Sequence, residues 1–394
     1  MSRLQRLFAE QGQSPWIDNL TRPMIAEGAL QALVDRGVRG VTSNPTIFRK
    51  AVLAGSHYDE QFASLAPTHP VPDAYWNLVV RDVTDALDVL SPLHRESGGT
   101  DGFVSLEVSP AIAADAAATM EATRWLHALI DRPNLLVKIP ATAQGVTAIR
   151  QMVAEGRSVN VTLIFGLPRY AEVIDAYLSG LEDRLAASGE GSDTDLSGVH
   201  SVASFFVSRV DTEVDRRLEV VATASGPGSA AGAAALALRG KVAVAQAKAA
   251  YQLFLERFSG PRWEALQVRG AHVQRPLWAS TSTKNPAYPE LLYVDSLIGP
   301  STVNTMPDAT LEAFADHGTL ARSLDVGTET AYRTLDQLGE VGVDLDEVAA
   351  VLEEQGVASF LSSFDDLMAA LTAKAHAMKT HFRNDPSVGQ PSAP

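Results

Sequence analysis

Short apolar runs of β type recur along this chain. Most give way to a stretch in which apolar residues return every three or four positions, the period of a helix packed on one face. The runs are SPWIDNL (14–20), VRGVTSNP (38–45), GFVSLEVSP (102–110), NLLVKIPAT (134–142), SVNVTLIF (158–165), VASFFVSRV (202–210), RPLWAST (275–281) and STVNTMP (301–307). Between them lie amphipathic stretches at 23–37, 115–130, 145–156, 170–188 and 241–258. Strands alternating with helices predict a parallel sheet, and eight of them favour closure into a (β/α)8 barrel. The segment 50–100 predicts extra helices after the second strand. The Gly/Ala/Ser-rich piece at 223–238 reads as a loop leading into a helix, and a long helical tail covers 341–378. The expected organisation is one barrel domain over 1–383 with helical insertions and C-terminal helices, and a disordered tail over 384–394.

The departures from this pattern carry the chemistry. In LLVKIP, Val137 and Ile139 point to one face of the strand and Lys138 to the other, which in a closed barrel is the interior. A buried ammonium costs several kcal/mol unless it is paired or gives up its proton. Lys138 alone among the lysines interrupts an apolar strand; Lys50, Lys241, Lys248, Lys284, Lys374 and Lys379 lie in helical or loop contexts. The same placement recurs at Asp18, at Thr42 and Asn44, at Glu107, at Asn160 and Thr162, and at Arg209. Any one of these reads most simply as a solvated strand end or a structural hydrogen bond. Together, at the carboxyl ends of five or six strands, they match where barrel enzymes place their chemistry.

Composition removes other function classes. A net charge of −15 over 394 residues argues against nucleic acid or an anionic membrane as a partner. Cysteine is absent, so there is neither a disulfide nor a thiolate site, which fits a cytoplasmic protein. The amino-terminal stretch lacks the pattern of a secretory signal, and no apolar run approaches the ~18 residues of a membrane span. The nine histidines form no HExxH pair, and neither a Walker A lysine, a GxGxxG after a strand nor a GxSxG elbow is present. The expectation is therefore chemistry without metal or nucleotide cofactor.

A strand-borne lysine inside a polar barrel has one leading use. Its neutral amine attacks a carbonyl to form a Schiff base, an electron sink for breaking a carbon–carbon bond. Carboxylates nearby suit the accompanying proton transfers. Arg209 and Lys284, with Ser280, are placed to hold a phosphate by charge-assisted hydrogen bonds.

GVTSNPTIF, LLVKIPAT, VNVTLIF, SFFVSRVD and WASTSTKNP, in this order, resemble the transaldolases in their longer bacterial form, over residues 14 to 380. The resemblance implies that Lys138 forms a Schiff base with a ketose phosphate and that Asp18 takes the hydroxyl proton as the carbon–carbon bond breaks. It assigns carbinolamine formation and dehydration to Glu107, helped by Thr162 and a water. Asn44 and Asn160 would hold the dihydroxyacetone hydroxyls, with Thr42, Ser204 and Ser280 lining the pocket, Phe206 as an aromatic wall and Arg209 on the phosphate. Shorter members carry an arginine soon after the serine of the seventh strand, where this chain reads STSTKNP, which makes Lys284 the substitute. The implied activity moves a dihydroxyacetone unit from sedoheptulose 7-phosphate or fructose 6-phosphate to an aldose phosphate. The alternatives are a fructose-6-phosphate aldolase-type enzyme and a non-catalytic sugar-phosphate binder. The expected partners are small sugar phosphates, with the chain a monomer or homodimer and a late helix approaching the barrel mouth.

Overall fold

The computed structural model describes residues 1–187, 189 and 194–384. Eight parallel strands, β1 (Gln13–Ile17), β2 (Gly40–Thr42), β3 (Phe103–Glu107), β4 (Leu135–Pro140), β5 (Val159–Ile164), β6 (Ser201–Phe206), β7 (Arg275–Ala279) and β8 (Thr302–Met306), close in sequence order into a barrel. β8 completes the ring on β1 with Gln13 opposite Thr302 and Ile17 opposite Met306. This is the (β/α)8 architecture expected from the alternating pattern; each of the eight apolar runs marks one strand, with β1 and β6 starting one residue before theirs. The apolar residues of the runs, such as Val137 and Ile139, are fully buried, as they must be in a sheet covered on both faces.

Two glycines permit packing on which the site depends. A Cβ at Gly40 would lie 2.4 Å from the indole of Trp16, so only glycine lets β2 close on β1 beside that ring. At Gly356 a Cβ would approach the Leu163 side chain to 3.1 Å, a tight contact where the C-terminal helix Leu345–Asn384 packs against the end of β5. Leu163 itself has φ +61° and interrupts the β5–β6 register, a bulge immediately after Thr162. Such backbone is rare for a branched apolar residue and clusters at functional sites.

After β2 the chain adds the helices Pro45–Leu53, Asp59–Leu65 and Val71–Glu96, in the segment expected to be helical. The C-terminal helix lies across them. Thr46 and Ser363 share a hydrogen bond of 2.8 Å, Arg49 pairs with Asp366 at 3.3 Å, and the rings of Tyr75 and Phe364 meet edge-on at 5.4 Å. The amphipathic stretch 23–37 is helical in two pieces, Arg22–Ala26 and Ala29–Arg36, with Gly28 at φ +78° between them. The tail expected over 384–394 lies outside the described residues except for Asn384, which ends the last helix. No described helix is long and apolar enough to cross a membrane.

Candidate active site

Register brings the polar interruptions together. Glu107 lies opposite Lys138, and Lys138 opposite Asn160, so three neighbouring strands point these side chains into one interior. The Lys138 ammonium donates to the Ser43 carbonyl at 3.0 Å and lies 3.4 Å from Glu107 Oε2. Both side chains are almost wholly buried. Neither Glu107 oxygen has an aligned hydrogen bond, and the Thr162 hydroxyl is likewise buried without a partner among the described residues. Burial pushes the Glu107 carboxyl up to about 7 against the opposing charge of Lys138, with Asp18 adding to the rise. A carboxyl in that range can both give and take a proton near neutral pH.

Asp18, just past β1, accepts a 2.7 Å hydrogen bond from Thr42, whose oxygen is also 2.7 Å from the Thr305 hydroxyl. Desolvation raises the Asp18 carboxyl above its ordinary range, and Lys138 and the Thr42 hydrogen bond oppose that rise. Asn44 caps the helix Pro45–Leu53 by accepting from the Ile47 amide at 3.0 Å. Asn160 is fully buried: its amide nitrogen donates to Ser105 at 2.9 Å, and its carbonyl accepts from Ser204 at 2.7 Å.

Above these residues opens a cavity of about 360 Å³ at the carboxyl ends of the strands. Lys138, Asp18, Thr42, Asn44, Thr162, Ser204, Phe206, Arg209, Ser280 and Lys284 all line it. Asn160 does not, and meets the cavity only through Ser204. Glu107 lines a small cleft beside it with Asn44 and Tyr75. Ser280 has φ +56° and shares a 2.8 Å hydrogen bond with Ser208, which ties the ends of β6 and β7 together. Burial pushes the Arg209 guanidinium down, with Asp18 opposing, and its carbon lies 5.4 Å from the Phe206 ring centroid. Lys284 is pushed down by desolvation and by the charges of Arg209 and Lys50.

Lys50, Thr305, Ser359 and Phe360 also line the cavity, and sequence reasoning did not single them out. Thr305 carries the same signal as the others, a hydroxyl at a strand's carboxyl end. Lys50, Ser359 and Phe360 sit on helices whose pattern says only that one face is covered.

A carbon-bond lyase or transferase site of the lysine type has these parts. A family model for transaldolase/fructose-6-phosphate aldolase matches residues 15–371. The chain belongs to that family. Transaldolase 1 of Streptomyces coelicolor is 48% identical over 372 residues, covering 94% of each chain. The transaldolase of Thermobifida fusca is 48% identical over 370 residues, 93% of this chain and 96% of the relative. That of Acidothermus cellulolyticus is 48% identical over 364 residues, 92% and 94%. Enzymes of the (β/α)8 fold carry their reactions at the carboxyl ends of the strands, which is where this chain gathers its buried lysine and the two carboxyl groups that burial raises.

Proposed function

We propose that the carboxyl-end cavity carries out a transaldolase reaction with Lys138 as the nucleophile. The observation that carries this reading is a buried amine on β4 flanked by two carboxyl groups held above their ordinary range, in a cavity whose outer wall is cationic. The Lys138 amine adds to the ketose carbonyl, and the carbinolamine loses water to give the iminium. Glu107 moves those protons, with the Thr162 hydroxyl holding the departing water. Asp18 takes the proton from the hydroxyl beyond the scissile bond; that bond's electrons pass to the iminium, and an aldose phosphate departs. The remaining enamine attacks the acceptor aldehyde, Asp18 returns the proton, and hydrolysis frees Lys138.

Asn44 and Ser204 face the dihydroxyacetone hydroxyls in this scheme, with Asn160 orienting Ser204 and Thr42 orienting Asp18. Phe206 walls the sugar, and Arg209, Lys284 and Ser280 take the phosphate. Sedoheptulose 7-phosphate and fructose 6-phosphate are the donors, and glyceraldehyde 3-phosphate and erythrose 4-phosphate the acceptors. The enzyme in this reading is cytoplasmic, monomeric or homodimeric, and works on free sugar phosphates; the net charge of −15 supports only the part that leaves out nucleic acid and anionic membrane.

The test is borohydride reduction in the presence of fructose 6-phosphate, followed by intact mass and peptide mapping. A dihydroxyacetone-sized adduct on the peptide containing LLVKIPAT is the expected result. An adduct elsewhere, or none while the sugar phosphate still binds, overturns the assignment.

A further inference from the structure

We propose that Lys50 is a substrate-binding residue, the third cation of the clamp that selects phosphorylated over unphosphorylated sugars. The inference rests on the sugar-phosphate reading above and adds a residue that neither the sequence pattern nor the family resemblance assigned. Lys50 lies near the end of the helix Pro45–Leu53 and lines the 360 Å³ cavity together with Arg209 and Lys284. The three come from elements that follow β2, β6 and β7, so the barrel's closure sets them around one opening.

None of the three forms an ion pair with a carboxylate among the described residues. Most arginines of this acidic protein do, and the contrast is sharpest one position away. Arg49, on the same helix, pairs with Asp366 at 3.3 Å, whereas Lys50 faces the cavity without an acid partner. Lys284 donates at 2.6 Å to the Ser282 hydroxyl, and Arg209 only meets the Phe206 ring. Asp18 is the one carboxylate among the residues lining this cavity, and Thr42 and the charge of Lys138 already engage it. Three like charges left unpaired around one opening repel each other, and after desolvation the charges of Arg209 and Lys50 help to push Lys284 down. An arriving phosphate dianion removes that repulsion and gains charge-assisted hydrogen bonds from each cation. A neutral sugar does neither.

The site thus separates into an inner end that reacts, with Lys138, Asp18 and Glu107, and an outer end that recognises charge. Lys50 and Lys284 are exposed at the rim, while Arg209 lies deeper. A rim lysine acts on capture more than on the chemical step, so its removal belongs in KM and in the salt dependence of kcat/KM.

The experiment compares the wild type with Lys50→Ala, Lys50→Arg and Arg209→Ala, using fructose 6-phosphate against fructose as donor at several salt concentrations. For Lys50→Ala the ratio of kcat/KM for phosphorylated over unphosphorylated donor falls about five- to tenfold. The change lies in KM, the salt slope becomes shallower, and Lys50→Arg restores most of the ratio. Equal losses for both donors, or an unmoved ratio and salt slope, overturn the proposal. Arg209→Ala tells the two readings apart. If it destroys the preference while Lys50→Ala does not, Lys50 alone is discarded; if the preference survives Arg209→Ala, the phosphate end itself is misplaced.

Discussion

Two buried carboxylates at opposite ends of β3 show how one barrel separates stability from chemistry. Asp101 lies just before the strand, and Glu107 ends it. Asp101 is wholly buried and accepts from Ser14 at 2.6 Å, Arg39 at 2.7 Å, Arg275 at 3.1 Å and the Trp16 indole at 3.2 Å. Burial pushes its carboxyl up, but the charges of Arg275 and Arg39 and the Ser14 hydrogen bond outweigh that and hold it below the ordinary range. Glu107, equally deep, has one ammonium at 3.4 Å and no aligned donor, and rises to about 7. A fully partnered buried charge ties β1, β2 and β7 together at the amino end. An under-partnered one stays free to exchange a proton at the carboxyl end. The same desolvation acts on both, and the number of donors decides the outcome.

The contrast breaks most visibly at the lysine. Lys138→Ala should lower turnover by at least ~10⁴-fold, because no other described side chain supplies an amine at that place. Its thermal midpoint should stay near that of the wild type, since the change removes no packed apolar surface. Steady-state kinetics beside calorimetry checks both, and measurable residual turnover at the wild-type level would refute the mechanism.

The two carboxylates should respond oppositely to neutralisation. Asp101→Asn leaves Arg39 and Arg275 without their shared anion and should cost roughly 3 kcal/mol of stability, with kcat of the folded enzyme nearly unchanged. Glu107→Gln should lower kcat by ~10²-fold or more with little loss of stability at pH 7. The signs with pH follow from the directions of the shifts. Asp101, held below its ordinary value, contributes stability above about pH 4 that is lost as acid protonates it. Glu107, raised from 4.5 to about 7, contributes stability that is full below 4.5 and lost as pH rises through 7. Denaturant titrations between pH 3 and 8 should therefore show the wild type's margin over Asp101→Asn shrinking on acidification, and its margin relative to Glu107→Gln growing. Parallel curves would mean that folding shifts neither carboxyl and would sink the contrast.

The finest adjustment is at Asp18. Thr42→Val removes its 2.7 Å donor, so the carboxyl rises further and the acid limb of the kcat profile should move to higher pH. A loss of about tenfold or less in kcat/KM is expected for one hydrogen bond. An unmoved acid limb would place the essential base elsewhere.

How much of this was legible beforehand depends on the element. The eight strands could be read from their apolar runs because a strand buried on both faces needs that composition wherever it lies. Lys138 and Glu107 stood out because a charge inside such a run violates the pattern. Asn160 stood out as a polar side chain in such a run, and Ser204 entered only through the family resemblance; they are occupied with each other, a pairing across two strands that alternation does not encode. The break at Gly28 was hidden by a continuous amphipathic pattern, since periodicity reports which face is covered and not whether the axis continues.

Sequence alone therefore determined the parallel αβ alternation, the inward face of each strand and the chemical kind of the site. Those depend on local composition and on the two-residue period of a strand. Tertiary structure decided which residues share the cavity: Thr305 against Thr42, and Lys50 and Phe360 in one lining with Phe206, Arg209 and Lys284. Only the closure of β8 on β1 and the packing of the last helix across the barrel mouth bring these groups to one place. The reason is physical: a side chain's face is fixed by its neighbours in the chain, whereas its company is fixed by the packing of distant surfaces.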